Sequence, residues 1–340
     1  MRAGIVNDLP MAVELLRRLV SSSGEHEVAW IAMNGREAVE ACRRDRPELV
    51  LMDLNMPVMD GVEATRLIMA ETPCPILLVT ASIDANVSGV YDAMGHGALD
   101  AVDIPTAGPN GGTSAQGAAL LARMAAIARL SRDESRAPRR LAVPAMHASA
   151  AYPLVAIGAS AGGPAAVATL LAGLPPDFPG AIVLVQHLDA QFVPGFAHWL
   201  GQQCSLPVRP AEIGEKPAAG VVLIAASGDH LILTANGELG YRAEPRDYPY
   251  RPSVDVFFES VARHWRGELI GVLLTGMGRD GARGLKLLRE GRHLTIAQDK
   301  ATSAVYGMPK AAAAIDAAVE ILPLTAIAPR LAGACGRSLR

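Results

Sequence analysis

No lysine occurs before Lys216, although the chain has 340 residues and 31 basic side chains. The first 131 residues carry 10 arginines and 16 acidic side chains, a net charge of −6 with no side-chain ammonium group. Residues 132–340 hold 21 basic and 18 acidic side chains, net +3, and all four lysines. The near-neutral total of −3 therefore averages two unlike halves, and it excludes a nucleic-acid binder driven by bulk positive charge. Aromatic residues are also scarce, at 4%. Cysteine is limited to Cys42, Cys74, Cys204 and Cys335, with no pair at CxxC spacing. That spacing excludes a disulfide framework and a thiolate zinc site, and it fits a reducing compartment. The opening MRAGIVNDLP lacks the long apolar stretch of a signal peptide, so a cytoplasmic location is expected.

What is present is apolar: 50% hydrophobic and 19% charged residues exclude a disordered chain. The length is about twice that of a typical domain, which predicts two. No charged residue lies between Arg140 and Asp177, a span long enough to cross a bilayer. Gly-Ala-Ser-Ala-Gly-Gly-Pro (158–164) would break a spanning helix in its middle, so a buried strand, glycine turn and helix are expected there, with no membrane insertion.

In the first half, short apolar runs at 2–6, 48–52, 75–79 and 98–102 alternate with helical patterns at 11–20, 35–44 and 61–70. That rhythm predicts βαβ units and a doubly wound parallel sheet, whose ligands bind beyond the carboxyl ends of the strands. Those ends carry Asn7-Asp8, Asp53 and Thr80. Asp8 and Asp53 would face each other across the crevice, a pairing suited to a hard cation such as Mg²⁺. An Asp after a strand also serves as a helix cap, and Asp8 alone is equally well read that way.

The stretch Leu51-Met-Asp-Leu-Asn-Met-Pro-Val-Met-Asp-Gly61 resembles the phosphorylation site of response-regulator receiver domains, and the resemblance covers about the first 130 residues. It implies a flavodoxin-like fold in which Asp53 accepts a phosphoryl group from a CheA-type histidine kinase. Asp8, Asp53 and the Asn55 carbonyl would hold Mg²⁺, and Thr80 would act as the switch residue that answers the phosphate. Three departures stand out. Asn7 replaces the first of the usual acidic pair, and Ile104 stands before Pro105 where receivers carry a lysine. Ala101 replaces the aromatic residue expected three positions earlier. Without the ammonium group, phosphorylation would be coupled to output differently.

A receiver domain is expected over 1–131, a linker over 132–151 and a second domain over 152–335. The linker reads from Ser131-Arg-Asp-Glu-Ser-Arg-Ala-Pro-Arg-Arg140, polar and aperiodic, which is better read as a solvated tether than as a binding patch for acidic groups. From Leu154 the βα rhythm restarts, with apolar runs at 154–158, 181–185, 221–225, 269–274 and 294–297. Residues 228–242 predict an antiparallel hairpin turning at Asn236-Gly237.

The strand ends again collect chemistry. Ser160 lies in a glycine-rich turn, where a serine hydroxyl is exposed beside backbone N–H groups. His187 could act as its base and Asp280 could orient the imidazole. The pattern leaves alternatives open: Asp189, Asp229 and Asp299 compete with Asp280, and the turn could instead cradle a nucleotide phosphate. The absence of a Walker lysine and of an acidic residue at ribose-binding spacing weakens the nucleotide reading.

Residues 153–330 resemble the catalytic domain of the CheB family of chemotaxis protein-glutamate methylesterases. The matching stretches are Ala156-Ile-Gly-Ala-Ser-Ala-Gly-Gly163, Val185-Gln-His187, Arg251-Pro-Ser-Val-Asp-Val256, Leu273-Leu-Thr-Gly-Met-Gly-Arg-Asp-Gly281, Ile296-Ala-Gln-Asp299 and Tyr306-Gly-Met-Pro309. Gly-Ile-Val-Asn-Asp (4–8) looks most like the WspF-type branch of that family. The resemblance implies Ser160 as nucleophile, His187 as base, Asp280 as its orienter and the Met277 backbone N–H as an oxyanion donor. Ala161 stands where the family often has threonine. The implied fold is α/β, with two doubly wound parallel-sheet domains, the second Rossmann-like. The implied substrate is a glutamyl γ-methyl ester on a methyl-accepting chemoreceptor coiled coil, with glutamine deamidation by the same chemistry. No cofactor is implied for the esterase half. Its regulation would come from an unphosphorylated receiver covering the crevice that holds Ser160. A non-catalytic regulator acting by partner binding is the alternative.

Overall fold

The computed structural model describes residues 1–340 except 82–85, 107–113, 131–151, 247, 249 and 337–340. The expected linker therefore lies outside the described residues. The chain divides into two units, Met1–Glu134 and Ser135–Arg340.

The first unit alternates β1 (Arg2–Val6), α1 (Pro10–Ser22), β2 (Glu27–Ala32), α2 (Gly35–Arg44), β3 (Leu49–Met52), α3 (Gly61–Glu71), β4 (Ile76–Thr80), α4 (Val87–Gly95), β5 (Asp100–Asp103) and α5 (Ala115–Leu130). Its five strands form one sheet in the order β2-β1-β3-β4-β5, and every pairing is parallel. Strands β3 and β4 are buried on both faces, as a sheet covered by helices on either side requires. Helices α2 and α3 begin where Asn34 and Asp60 accept the backbone N–H of Glu37 and Glu63, three residues on. Strand β2, absent from the runs expected although Val28–Ala32 is apolar, is an edge strand whose side chains are mostly half exposed. The chain order reverses between β1 and β3, and Asp8 and Asp53 follow those two strands.

The second unit comprises β6 (Leu154–Ala159), α6 (Gly163–Ala172), β7 (Ala181–Gln186), α7 (Val193–Gln203), β8 (Val208–Pro210), β9 (Val222–Ile224), β10 (His230–Leu233), β11 (Leu239–Arg242) and α8 (Val254–His264). It continues through β12 (Leu269–Leu273), α9 (Ala282–Glu290), β13 (Leu294–Gln298), α10 (Met308–Ala314), β14 (Glu320–Leu322) and α11 (Leu324–Cys335). Seven strands form a parallel sheet in the order β14-β13-β12-β6-β7-β9-β8. The three-residue edges β8 and β14 carry no apolar run, being short and partly exposed. Strands β10 and β11 pair antiparallel around the Asn236-Gly237 turn, with Gly237 at φ +76°. The hairpin is tied to α8 through the Ser260 hydroxyl, which accepts the Leu233 N–H at 2.9 Å.

The winding of this sheet reverses between β6 and β12. The crevice beyond their carboxyl ends is where a doubly wound sheet binds its ligands, and β7 lies next to β6. Ser160, His187 and Asp280 follow β6, β7 and β12 respectively. Among the described residues no helix is long and apolar enough to cross a membrane.

Candidate functional site

The nucleophile candidate stands on a turn held from three sides. Ser160 donates its N–H to the Thr275 carbonyl at 3.0 Å, and its own carbonyl accepts from Gly163 N at 2.7 Å and from the Gln186 side-chain amide at 2.9 Å. The same Gln186 amide nitrogen donates to the His187 carbonyl at 3.3 Å, so one buried side chain links the peptides of Ser160 and His187. The Thr275 hydroxyl lies 2.9 Å from the Ala161 carbonyl and accepts the Val305 N–H at 2.9 Å. Two glycines make these approaches possible. Gly162 sits at φ +74°, and a Cβ on Gly276 would lie 2.8 Å from the Ser160 Cβ and 2.3 Å from the Met308 sulfur. Strand β12 can thus deliver residues 275–277 directly against Ser160. Among the described residues the backbone N–H groups of Ala161, Gly162 and Met277 have no acceptor.

Of the four aspartates open to the sequence reading, Asp280 is the one that meets His187, at 2.8 Å from Nε2 to Oδ2. Asp280 is almost fully buried and accepts three further hydrogen bonds: from the Ser253 hydroxyl at 2.8 Å, Val254 N at 2.7 Å and Asp255 N at 3.0 Å. Ser253 is the N-cap of α8, so the carboxylate sits on the positive end of that helix. Burial pushes the Asp280 carboxyl up, but the His187 hydrogen bond and charge and the Asp255 and Val254 N–H groups outweigh it. They hold the carboxyl below the usual range. An ionised Asp280 only accepts, so Nε2 carries a proton, and in the neutral imidazole the lone pair is on Nδ1. That Nδ1 is buried and has no hydrogen-bond partner.

Three neighbours were given no role by the sequence reading, although Asp255 lies within the matching stretch Arg251–Val256. Tyr250 stacks on the His187 ring, with centroids 3.8 Å apart and planes 11° from parallel. Asp255 sits beside Asp280 and accepts the Gly284 N–H at 2.7 Å. Burial and the Asp280 charge push its carboxyl up to about 8, so it is neutral where Asp280 is charged. His230 accepts the Ser253 N–H through Nδ1. Beside them, Ser253 had a readable signal as a serine preceding an apolar helical pattern.

In the first unit, Asp53 is buried at the end of β3. Its Oδ1 accepts the Leu54 N–H at 2.7 Å and its Oδ2 accepts the Asn7 side-chain amide at 2.9 Å. Burial is the main cause that raises the Asp53 carboxyl, to about 6; repulsion from Asp8 adds to it, and the Leu54 and Asn55 N–H groups oppose it. Thr80 is fully buried, with the Asn86 side-chain amide 3.4 Å from its hydroxyl, and the Asn55 side chain donates to Asn86 at 2.9 Å. Ile104, at the position of the missing lysine, is partly buried and packs against the core of this unit. Among the described residues no three His, Cys, Asp or Glu side chains gather as a metal site. The donors expected from the sequence for Mg²⁺ are two carboxylates, from Asp8 and Asp53, plus the Asn55 carbonyl. Such hard oxygen donors, with the Asp53 carboxyl raised chiefly by burial and further by the Asp8 charge, fit a divalent cation.

The two sheets and their strand-end residues define a class: a receiver-type phosphoacceptor unit joined to a serine-hydrolase-type unit. Residues 155–331 match the family described as CheB methylesterase, and residues 4–107 match the response regulator receiver domain. The chain belongs to the CheB methylesterase family. It is 66% identical over 344 residues to a protein-glutamate methylesterase/protein-glutamine glutaminase of Mesorhizobium japonicum, covering 99% of this chain and 100% of the relative. A relative of the same description from Cupriavidus metallidurans is 58% identical, with 100% of both chains covered. The crystal structure of the Thermotoga maritima CheB methylesterase catalytic domain is 35% identical. It covers 53% of this chain and 97% of its own, with a TM-score of 0.51.

Proposed function

We propose that this protein is a phosphorylation-regulated serine esterase that hydrolyses glutamyl γ-methyl esters on methyl-accepting chemoreceptors. The observation that carries the reading is the His187 imidazole. One nitrogen is fixed on buried, ionised Asp280, and the other is buried with a free lone pair, in the strand-end crevice that also holds Ser160.

In the first step Nδ1 of His187 takes the Ser160 proton as Oγ attacks the ester carbonyl carbon. The Met277 N–H, with those of Ala161 and Gly162, stabilises the tetrahedral oxyanion. The bond to the methoxy oxygen then breaks, His187 returns the proton and methanol leaves. Water, deprotonated by the same nitrogen, attacks the acyl-enzyme; its collapse frees the glutamate carboxyl and restores Ser160. With glutamine as substrate the leaving group is ammonia and the steps are otherwise the same. The names of the Mesorhizobium and Cupriavidus relatives support both activities.

The first unit supplies the regulation. Asp53 accepts a phosphoryl group from a CheA-type histidine kinase; Asp8, Asp53 and the Asn55 carbonyl would hold Mg²⁺, which would supply neutralising charge at the phosphoryl group, and Thr80 reads the phosphate. The domains proposed are a receiver over 1–131 and an esterase over 152–335, joined by a tether. The test is demethylation of a methylated receptor by the full chain, with and without a small phosphodonor and Mg²⁺. Wild type should release methanol faster with the donor, Asp53→Asn should ignore it, and Ser160→Ala should release none. Methanol release by Ser160→Ala at the wild-type rate would refute the reading.

A further inference from the structure

The hydrogen bond to Asp280 fixes one edge of the His187 ring but leaves it free to hinge about the Nε2···Oδ2 line. The Nδ1 lone pair lies in the ring plane, so the tilt of that plane decides where the base points. A second constraint is therefore needed on the face of the ring. Tyr250 supplies it, with ring centroids 3.8 Å apart and an interplanar angle of 11°.

We propose that Tyr250 is a positioning residue of the esterase, which sets the plane of His187 and braces the turn carrying Met277. Two contacts of Tyr250 and the course of the chain that follows it carry this. The stack aligns the imidazole. The Tyr250 hydroxyl lies 3.4 Å from the Met277 carbonyl, and a Cβ on Gly278 would lie 3.3 Å from the same hydroxyl, so the tyrosine tip abuts the 277–278 turn. The segment that begins at Tyr250 also brings the Ser253 hydroxyl and the Val254 and Asp255 N–H groups onto Asp280. One stretch of chain thus sets the face of the base, the orienting carboxylate and the side of the turn that bears the oxyanion donor. As His187 becomes imidazolium in the transition state, the π face of Tyr250 lies against the new cation, an attraction weaker in the ground state.

The inference rests on the reading of Ser160, His187 and Asp280 as the reacting set. Its test measures kcat and KM for receptor demethylation by the full chain in Tyr250→Phe, Tyr250→Leu and Tyr250→Met, beside Ser160→Ala. Phenylalanine keeps the stack and loses only a long hydrogen bond, so its kcat should stay within about 3-fold of wild type. Leucine and methionine remove the ring and should each lower kcat by about 10-fold or more, with KM within about 2-fold. The rate of Ser160 modification by a fluorophosphonate should fall in parallel. Methionine is flexible enough to fill the gap, so it serves as the ringless variant if leucine does not fold. Wild-type kcat in the folded ringless variants, an equal loss in Tyr250→Phe, or a rise in KM alone would overturn the proposal. Activity in Ser160→Ala would instead overturn the reading on which it stands.

Discussion

Replacing Asp280 by asparagine tests the centre of the site, because the carboxylate makes four hydrogen bonds, divided between its two oxygens. Oδ2 accepts from His187 Nε2 and Val254 N; Oδ1 accepts from the Ser253 hydroxyl and Asp255 N. An asparagine amide group must take one of these places. If it faces His187, it donates to Nε2, the ring proton moves to Nδ1 and the base is lost; Val254 N–H is then orphaned. If it faces Ser253, that hydroxyl can turn to accept, but Asp255 N–H is orphaned. Either orientation leaves one buried backbone N–H without a partner, at a cost of about 1–3 kcal/mol. The loss of a charge that burial disfavours offsets part of this. The activity cost is larger. The wrong tautomer, or an imidazolium with no counter-charge, should lower kcat by ~10³–10⁴-fold, or about 4–5.5 kcal/mol of transition-state stabilisation. The assay is receptor demethylation in parallel with thermal unfolding of the esterase unit. A variant that keeps more than a tenth of wild-type kcat would refute the reasoning, as would an equal loss in Asp189→Asn, Asp229→Asn or Asp299→Asn.

Thr275→Val removes the hydroxyl placed between the Ala161 and Val305 carbonyls, which also accepts Val305 N–H; unfolding should shift down by roughly 2–4 °C per kcal/mol lost, with about 1–3 kcal/mol expected. Asp255 is raised to about 8, chiefly by burial and then by Asp280, so the folded state holds its proton more tightly than the unfolded state. Its contribution to stability should therefore be lost as pH rises from the ordinary carboxyl range through about 8. Asp255→Asn, which can still accept Gly284 N–H, should flatten that fall in calorimetric scans; an unchanged pH profile would count against it. The same sign applies to Asp53, raised mainly by burial to about 6: the first unit should lose stability as pH rises through about 6, and Mg²⁺ should restore it there. Asp53→Ala should remove both the fall and the Mg²⁺ effect in thermal scans.

The sheet interiors, the order of the chemistry along the chain and its family are legible in the amino-acid sequence. Parallel strands covered on both faces must be continuously apolar, so β1, β3, β4, β6, β7 and β12 stand out as runs. A glycine-rich turn is needed wherever a backbone passes as close as Gly276 passes Ser160, and it marks its position in the text of the chain. The absence of lysine before Lys216 deprives the first unit of its usual cation, however that unit packs. Tertiary structure decided the rest. Four aspartates had the right chemistry, but only the arrangement of β12 against the start of α8 places one of them, Asp280, on His187 and under three further donors. Edge strands β8 and β14 carry no apolar signature because they are short and half exposed; β2 does carry one, Val28–Ala32, yet its place at the sheet edge follows only from its pairing with β1. Asn7 reads as a lost acid, yet its amide donates to Asp53, and Ile104 reads as a lost lysine, yet its side chain packs against the core. Tyr250 lies 63 positions from His187 in the chain, and no period or motif joins them. Local sequence records backbone propensity and burial; contacts between residues so distant come from the folding of the whole sheet, which no local pattern encodes.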